Sequence, residues 1–302
     1  MPVGFSQALR LTRETVKGTY DTTQHGTANE LWLRLESDNA FGVRRTQGVT
    51  PIRGAGGLNR RELALNPTFA VAGPLSCHVY PTQAATLIGW LLTLSGGDLT
   101  TFTADFFDGT RALSYLGCMF GATTLTASRQ SQGLRMQAQV LGMKTAAPNA
   151  NFAYPPAITA FPAENPYLFA ELFGGVTWGT SRANFKTWSL SVGNKVVGGN
   201  NEQAGITSVS FAGRDVDMSC VLEYASTADR LSYETSPQAA LAAAAVFTKA
   251  SPMHALTFNM EATTFILSLS DELPIGDLIY QGVQIGSFYD RTAGTDITFT
   301  AT

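Results

Sequence analysis

The feature that most constrains this chain is an internal echo. Ser76-Cys77 closes a strand-like stretch that runs on to Tyr80, and Ser219-Cys220 closes another that runs on to Tyr224. Later, Tyr115-Leu116-Gly117-Cys118-Met119-Phe120-Gly121 is answered by Tyr280-Gln281-Gly282-Val283-Gln284-Ile285-Gly286, with tyrosine, both glycines and a large apolar residue at matched spacing. Each half carries a helix-like apolar run between its two motifs, Thr86–Thr93 and Gln238–Thr248. Such repetition restricts the fold to two copies of one unit and is settled before finer features are read. A duplicated β unit without a catalytic constellation points to building rather than chemistry.

At 302 residues the chain holds two domains of ordinary size. Hydrophobic residues make up 44%, ample for packed cores, while 14% charged residues lie well below the usual quarter. Much of the surface is therefore Thr, Ser, Asn, Gln and Gly, as in β proteins with large buried interfaces. The net charge is −3, and basic residues cluster no further than the pairs Arg44-Arg45 and Arg60-Arg61. Tight phosphate binding needs clustered Lys and Arg, so avid nucleic-acid binding is not expected. Cys77, Cys118 and Cys220 cannot all pair within one chain and read as small buried hydrophobes in a reducing compartment. Met1-Pro2 opens on no signal-peptide pattern. The longest apolar run, near Ala239–Phe247, is too short to span a bilayer.

Residues 1–28 lack sustained periodicity and read as an extended arm. Leu31, Leu33 and Leu35 alternate as the first clear strand, answered in the second half by Trp188-Ser189-Leu190-Ser191-Val192. Residues 38–66, with Arg53-Gly54-Ala55-Gly56-Gly57, read as a long loop, and such a loop usually has a job. Phe69–Tyr80 is a strand that Gly73-Pro74 should break. Ala84–Leu94 is a short helix ended by Ser95-Gly96-Gly97-Asp98. Thr123–Ser128 and Leu134–Met143 form a hairpin around Gln130–Gly133. Five prolines between 145 and 166 mark the best linker. Ser236-Pro237 then predicts a helix start before the alanine run. The organisation expected is an arm over 1–28, a first β unit over 29–145, a Pro-rich linker over 146–166 and a second β unit over 167–302.

The chemistry-bearing residues are sparse. His25, His78 and His254 have no partner at ligand spacing, and Cys77 and His78, adjacent in a strand, face opposite ways. No nucleophile elbow, zinc-protease or phosphate-loop motif is present, and the Gly54–Gly57 run lacks the following Lys-Ser/Thr. Asp215-Val216-Asp217 puts two carboxylates on one strand face without a third acid nearby. Trp32, Trp90, Trp178 and Trp188 sit inside apolar patterns and read as core. No enzyme, metal or cofactor is expected.

Three stretches carry a resemblance: Arg13-Glu14-Thr15-Val16-Lys17-Gly18-Thr19; Tyr115–Cys118 leading into Thr124–Ser128 and Leu134–Val140; and Trp188–Asn194 followed by Gly213-Arg214-Asp215-Val216. In order and spacing the chain resembles the major tail tube proteins of long-tailed, siphovirus-like bacteriophages. The resemblance implies a mainly β fold of tandem duplicated tail-tube β-sandwich or barrel units, each with a short flanking α-helix. It implies a virion structural protein, assembled in the host cytoplasm, that polymerises into stacked rings forming the conduit for genome ejection. Its partners would be itself, a tape measure protein, tail terminator or tip proteins, and phage DNA sliding through the lumen without specific binding; no membrane is implied. Tandem units suggest a trimeric ring with pseudo-six-fold symmetry, favoured over a hexamer with an outer decoration. Phe5, Arg10, Arg13, Glu14 and Tyr20 of the arm and Arg44, Arg45, Arg53, Arg60 and Arg61 of the long loop are the expected subunit and ring contacts. The arm is expected to order only on assembly. Another phage head–tail protein, a carbohydrate-binding β-sandwich module and a glycoside hydrolase with convergent carboxylates are the rival readings.

Overall fold

Period-two alternation drives most of this chain into antiparallel strands. A computed structural model describes residues 8–35, 41–51, 64–107, 112–130, 133–145, 161–172, 175–182, 184–199, 206–223, 228–235, 238–250, 253–275, 278–289, 291 and 294–302. The chain begins β1 (Ala8–Arg13), β2 (Glu30–Leu33), β3 (Arg44–Pro51), β4 (Ala64–His78), α1 (Pro81–Leu92), β5 (Leu94–Ser95), β6 (Asp98–Leu99), β7 (Phe102–Phe107), β8 (Ala112–Ser128), β9 (Arg135–Gly142) and β10 (Lys144–Thr145). It continues β11 (Val176–Trp178), β12 (Thr180–Arg182), β13 (Phe185–Gly193), β14 (Lys195–Gly199), β15 (Ser208–Gly213), β16 (Val216–Glu223), α2 (Ala228–Glu234), β17 (Leu241–Ala250), β18 (Met253–Ile275), β19 (Leu278–Ser287) and β20 (Ile297–Ala301). In β16 every second residue, from Val216 to Leu222, is buried. Such strands lay one face on a core and leave the other half-exposed. The fold is mainly β, as expected from the sequence.

The strand pairings repeat. In the first half the order across the sheet is β2-β1-β7-β8-β9-β4-β3. In the second it is β12-β11-β17-β18-β19-β16-β13. A helix follows the fourth strand of each copy: α1 after β4, α2 after β16. A short strand closes each copy on its longest strand, with β10 meeting β8 at Tyr115 and Leu116 and β20 meeting β18 at Asn259 and Met260. Registers agree as well. Cys77 pairs with Met136 and Cys220 with Val283, and those partners pair with Leu125 and Leu269. Leu125 and Leu269 are therefore equivalent positions, and so are Cys77 and Cys220. One hydrophobic cluster, from Leu9 to Ile297, runs through both copies.

Several expectations are corrected. The alanine run is strand β17, not a helix. Ala243, Ala245, Phe247 and Lys249 are buried in strict alternation, and pairing with β11 and β18 overrides the helix propensity of alanine. The helix lies before it, as α2; the proposed start at Ser236-Pro237 falls outside the described residues. Tyr115–Gly121 and Tyr280–Gly286 are not equivalent: the first lies in β8, the second in β19, whose true counterpart is β9. Trp188 pairs with Cys220 as Leu35 pairs with Cys77, and Leu190 with Met218 as Phe41 with Leu75, so the tryptophan strand answers Leu35 and Phe41 rather than Leu31–Leu35. Within the arm, residues 8–13 are β1, between β2 and β7, with Leu9 and Leu11 fully buried in the chain's own core. Within the loop 38–66, Arg44–Pro51 pairs with β4 as an antiparallel hairpin, while 52–63 lie outside the described residues. Nor does Gly73-Pro74 break its strand. Gly42 N donates to Pro74 O at 2.7 Å, and a Cβ on Gly73 would lie 2.2 Å from Gly42 O, so only glycine admits this crossing. The hairpin around Gln130–Gly133 is β8 and β9, as expected.

Candidate assembly interface

The two copies meet edge to edge. One edge of β13 pairs with β16 in its own copy; the other pairs with β8 of the first copy, from Thr187 opposite Ser128 to Gly193 opposite Ala122. Trp188 and Leu190 of β13 are buried, as is Leu125 of β8, and the Trp188 ring lies 5.2 Å from that of Phe247. The chain then leaves the sheet as the hairpin β14–β15, which lies over the first copy. Val209, Val196, Ile206 and Phe211 of the hairpin pack with Leu99, Met119, Leu141 and Met143. An open strand edge is a template for pairing, and here it is used within the chain.

A polar clamp fixes the junction. Asn194 Nδ2 donates to Leu91 O (2.9 Å) and Phe120 O (3.3 Å). Arg214 Nη2 donates to Leu92 O (2.9 Å) and Leu91 O (3.3 Å), and its Nε to Asn194 Oδ1 (2.7 Å). These carbonyls end α1, where unpaired acceptors and the negative end of the helix dipole favour a cation. Burial lowers the Arg214 guanidinium from its ordinary value, and Asp296, 3.5 Å away, works against that. A second clamp joins the loop after β1 to the hairpin: Lys17 Nζ meets Asp98 Oδ2 and Val209 O, both at 2.6 Å, and Phe211 N donates to Asp98 Oδ1 at 2.8 Å. Burial pushes the Asp98 carboxyl up, but Lys17 and the amides of Phe211 and Leu99 outweigh it and hold the group below its ordinary value.

Arg10 and Tyr20 come together inside the first copy, and Glu14 sits in a separate buried site. Arg10 is buried and donates to Asp105 (2.8 and 3.1 Å), Glu30 (3.3 Å) and Tyr20 Oη (2.9 Å). Glu14 is buried and accepts from Gly18 N (2.7 Å), Gly117 N (2.8 Å) and Thr103 Oγ1 (2.9 Å). Gly117 has φ +65°, and a Cβ there would stand 2.5 Å from Met143 Sδ, so the glycine and the carboxylate together hold the bend in β8. Arg13, Arg44 and Arg45 are exposed. Phe5, Arg53, Arg60 and Arg61 fall outside the described residues. Sequence reasoning did not single out Lys17, Asp98, Asn194 and Arg214 as interface residues. The available signal was Asn194 and Arg214 each following a glycine at a strand end, inside stretches that carried the resemblance.

Other chemistry finds little footing. Among the described residues no group of three or more His, Cys, Asp or Glu could hold a metal ion, and no helix is long and apolar enough to cross a membrane. Cys77, Cys118 and Cys220 are free and buried, and burial raises the Cys118 and Cys220 thiols far above the ordinary value. Asp215 pairs with Lys195 at 2.8 Å on the surface; burial first, and Asp215 second, raise the Asp217 carboxyl. A recess of about 590 Å³ is lined by Arg129, Leu168, Phe169, Leu172, Asn184 and Phe185. Another of about 620 Å³ lies at the junction beside Arg214, Tyr289 and Phe299, with Asp296 as its carboxylate. Among the described residues, neither recess brings two acids face to face. A family model described as phage tail tube protein matches residues 4–300. No curated protein matches the chain.

Proposed function

The chain belongs to the phage tail tube protein family, and from that premise we propose that this phage tail protein polymerises into stacked rings whose lumen conducts the genome during ejection. The observation that carries the proposal is the junction between the copies. It is an edge-to-edge pairing that uses one free border of each copy and leaves the opposite borders for a neighbour. Head-to-tail contacts of this kind close into rings when the rotation closes. With two copies in each chain, three chains supply six units, so the ring is a trimer with pseudo-six-fold symmetry. Matching strand order in both copies supports this over a hexamer whose second copy decorates the outside. A net charge of −3 suits a channel that DNA passes without sticking. The protein acts in the virion tail after assembly in the host cytoplasm, with tape measure and tail terminator or tip proteins as partners, and without catalysis. The exposed Arg13, Arg44 and Arg45, with Phe5, Arg53, Arg60 and Arg61, are the residues proposed for contacts between subunits and rings.

Negative-stain microscopy of the purified protein tests this. Long hollow tubes or stacked rings with six-lobed end views are expected, and native mass spectrometry of isolated rings should give three chains. A persistent monomer refutes the tube; six chains per ring refute the trimer.

A further inference from the structure

The junction inside the chain is a template for the contact between chains. β8 is covered beyond its bulge by β13; its counterpart β18 has β19 on one side from Phe265 onward and, among the described residues, no strand on the other. The counterpart of β13 is the stretch that pairs with Leu75 and Cys77. Leu190 pairs with Met218 as Phe41 pairs with Leu75, so Phe41 stands for Leu190 and Val43 for Val192. Among the described residues, that stretch too has a strand, β4, on one side only.

Along that border Gln238 Nε2 donates to Ile266 O at 3.2 Å, and the rest is greasy. Leu125 is fully buried, whereas Leu269 is half-buried and lies between the exposed Ser268 and Ser270. Leu141, which sits under the hairpin β14–β15, corresponds to Phe288, which is 53% exposed. Leu267 is 41% exposed, and the rings of Phe288 and Phe265 are 5.7 Å apart. Contiguous exposed apolar side chains of this kind mark contact surfaces.

We propose that the β18 border from Phe265 to Ser270 takes the stretch Phe41–Val43 of a second copy of this chain, antiparallel, with Phe41 opposite Leu269 and Gly42 opposite Ser268. The register follows from Leu190 opposite Leu125 in the internal junction. The hairpin β3–β4 of that second copy lies over Phe288, as β14–β15 lies over Leu141. The inference rests on the tube reading and gives its ring contact a register.

The test is a double variant, Leu267→Asp with Phe288→Asp, in the full chain. Both side chains are partly exposed in the free chain, so circular dichroism should match the parent and Tm should fall by only a few degrees. Tubes should vanish at concentrations where the parent polymerises, with the threshold raised about 100-fold or more, since each tenfold is about 1.4 kcal/mol. A folded variant that polymerises like the parent overturns the proposal. Should the variant not fold, hydrogen exchange on the parent decides. Amides 265–270 should exchange about tenfold slower or more in tubes than in the free chain. Parent tubes in which these amides stay fast overturn the register and leave the tube reading standing; a parent that never forms tubes sinks both.

Discussion

Leu125 and Leu269 hold the same place in two copies of one sheet, yet the first is fully buried and the second is only half-buried. The contrast extends along the border. The first copy keeps a 12-residue helix whose C-terminal carbonyls are tied down by Asn194 and Arg214; the second has a 7-residue helix with Leu231 and Tyr233 exposed. The second copy lays β13 and the hairpin β14–β15 on the first, and the first lays α1 on β20 and β18 of the second; the β18 border beyond Thr264 carries no strand among the described residues. The difference teaches that fusing two units supplies the first copy's β8 border with a strand covalently.

The sharpest way to break the comparison is to cut the clamp that makes the first copy complete. Arg214 is buried among four acceptors, and its removal leaves Asp296 and the α1 carbonyls without their cation. Arg214→Ala should lower unfolding stability by about 3–5 kcal/mol. Urea unfolding of the free chain measures it; a loss under about 1 kcal/mol would mean the junction is held by the sheet alone.

A matched pair of truncations then sharpens it. In the free chain Leu125→Ala should cost about 3 kcal/mol, as for a fully buried leucine, and Leu269→Ala about 1–2 kcal/mol, because part of its surface is already in water. On polymerisation the two should converge, read as the Leu269→Ala chain depolymerising at lower denaturant than the parent. Equal costs in the free chain would erase the distinction between the borders.

How much of this was legible without coordinates follows from which signals are local. The alternation in Leu31 and Leu33, the helix read over Ala84–Leu94 and the β8–β9 hairpin were readable, because each depends on neighbours a few residues away. The duplication was readable at Cys77 and Cys220, where small buried side chains mark the same strand twice. It was misread at Tyr280, because tyrosine and glycine recur at the bends of unrelated strands, and at the alanine run, where residues of strong helix propensity pair between β11 and β18. The interface was the least legible part. Arg10 and Glu14 drew attention as charges in an apparently aperiodic segment, yet both are buried braces of the first copy. The residues that join the copies, Asn194 and Arg214, are defined by carbonyls more than a hundred positions away.

Glu14 offers a smaller test that touches one copy only. Its carboxylate accepts from two amides and a hydroxyl in a buried site, and Glu14→Gln keeps the shape while removing the charge and one acceptor. A loss of about 1–3 kcal/mol is expected. Amide exchange should quicken around Gly18 and Gly117 and stay unchanged in β16–β19; a loss spread evenly over both copies would contradict the assignment.

The smallest effect concerns pH and the second clamp. Asp98 is held below its ordinary value in the folded chain, against the push of burial, by Lys17 and by the amides of Phe211 and Leu99. A depressed carboxyl stabilises the fold in full above its unfolded value, near 3.9, and loses that contribution as pH falls through the lower folded value. Because Lys17 and Asp98 keep 33% and 29% of their side-chain surface in water, the pair is worth only about 0.5–1 kcal/mol. Asp98→Asn should therefore lower Tm slightly at pH 6, and the gap between variant and parent should close as pH drops below about 4. The hairpin β14–β15 should loosen over the same range, since Asp98 holds Phe211 N and Lys17 holds Val209 O. The second copy has no such acid clamp among its described residues at the matching border, so exchange in β18 and β19 should not follow that titration. A gap that persisted unchanged to pH 3 would show that Asp98 acts through its shape and amide contacts rather than its charge.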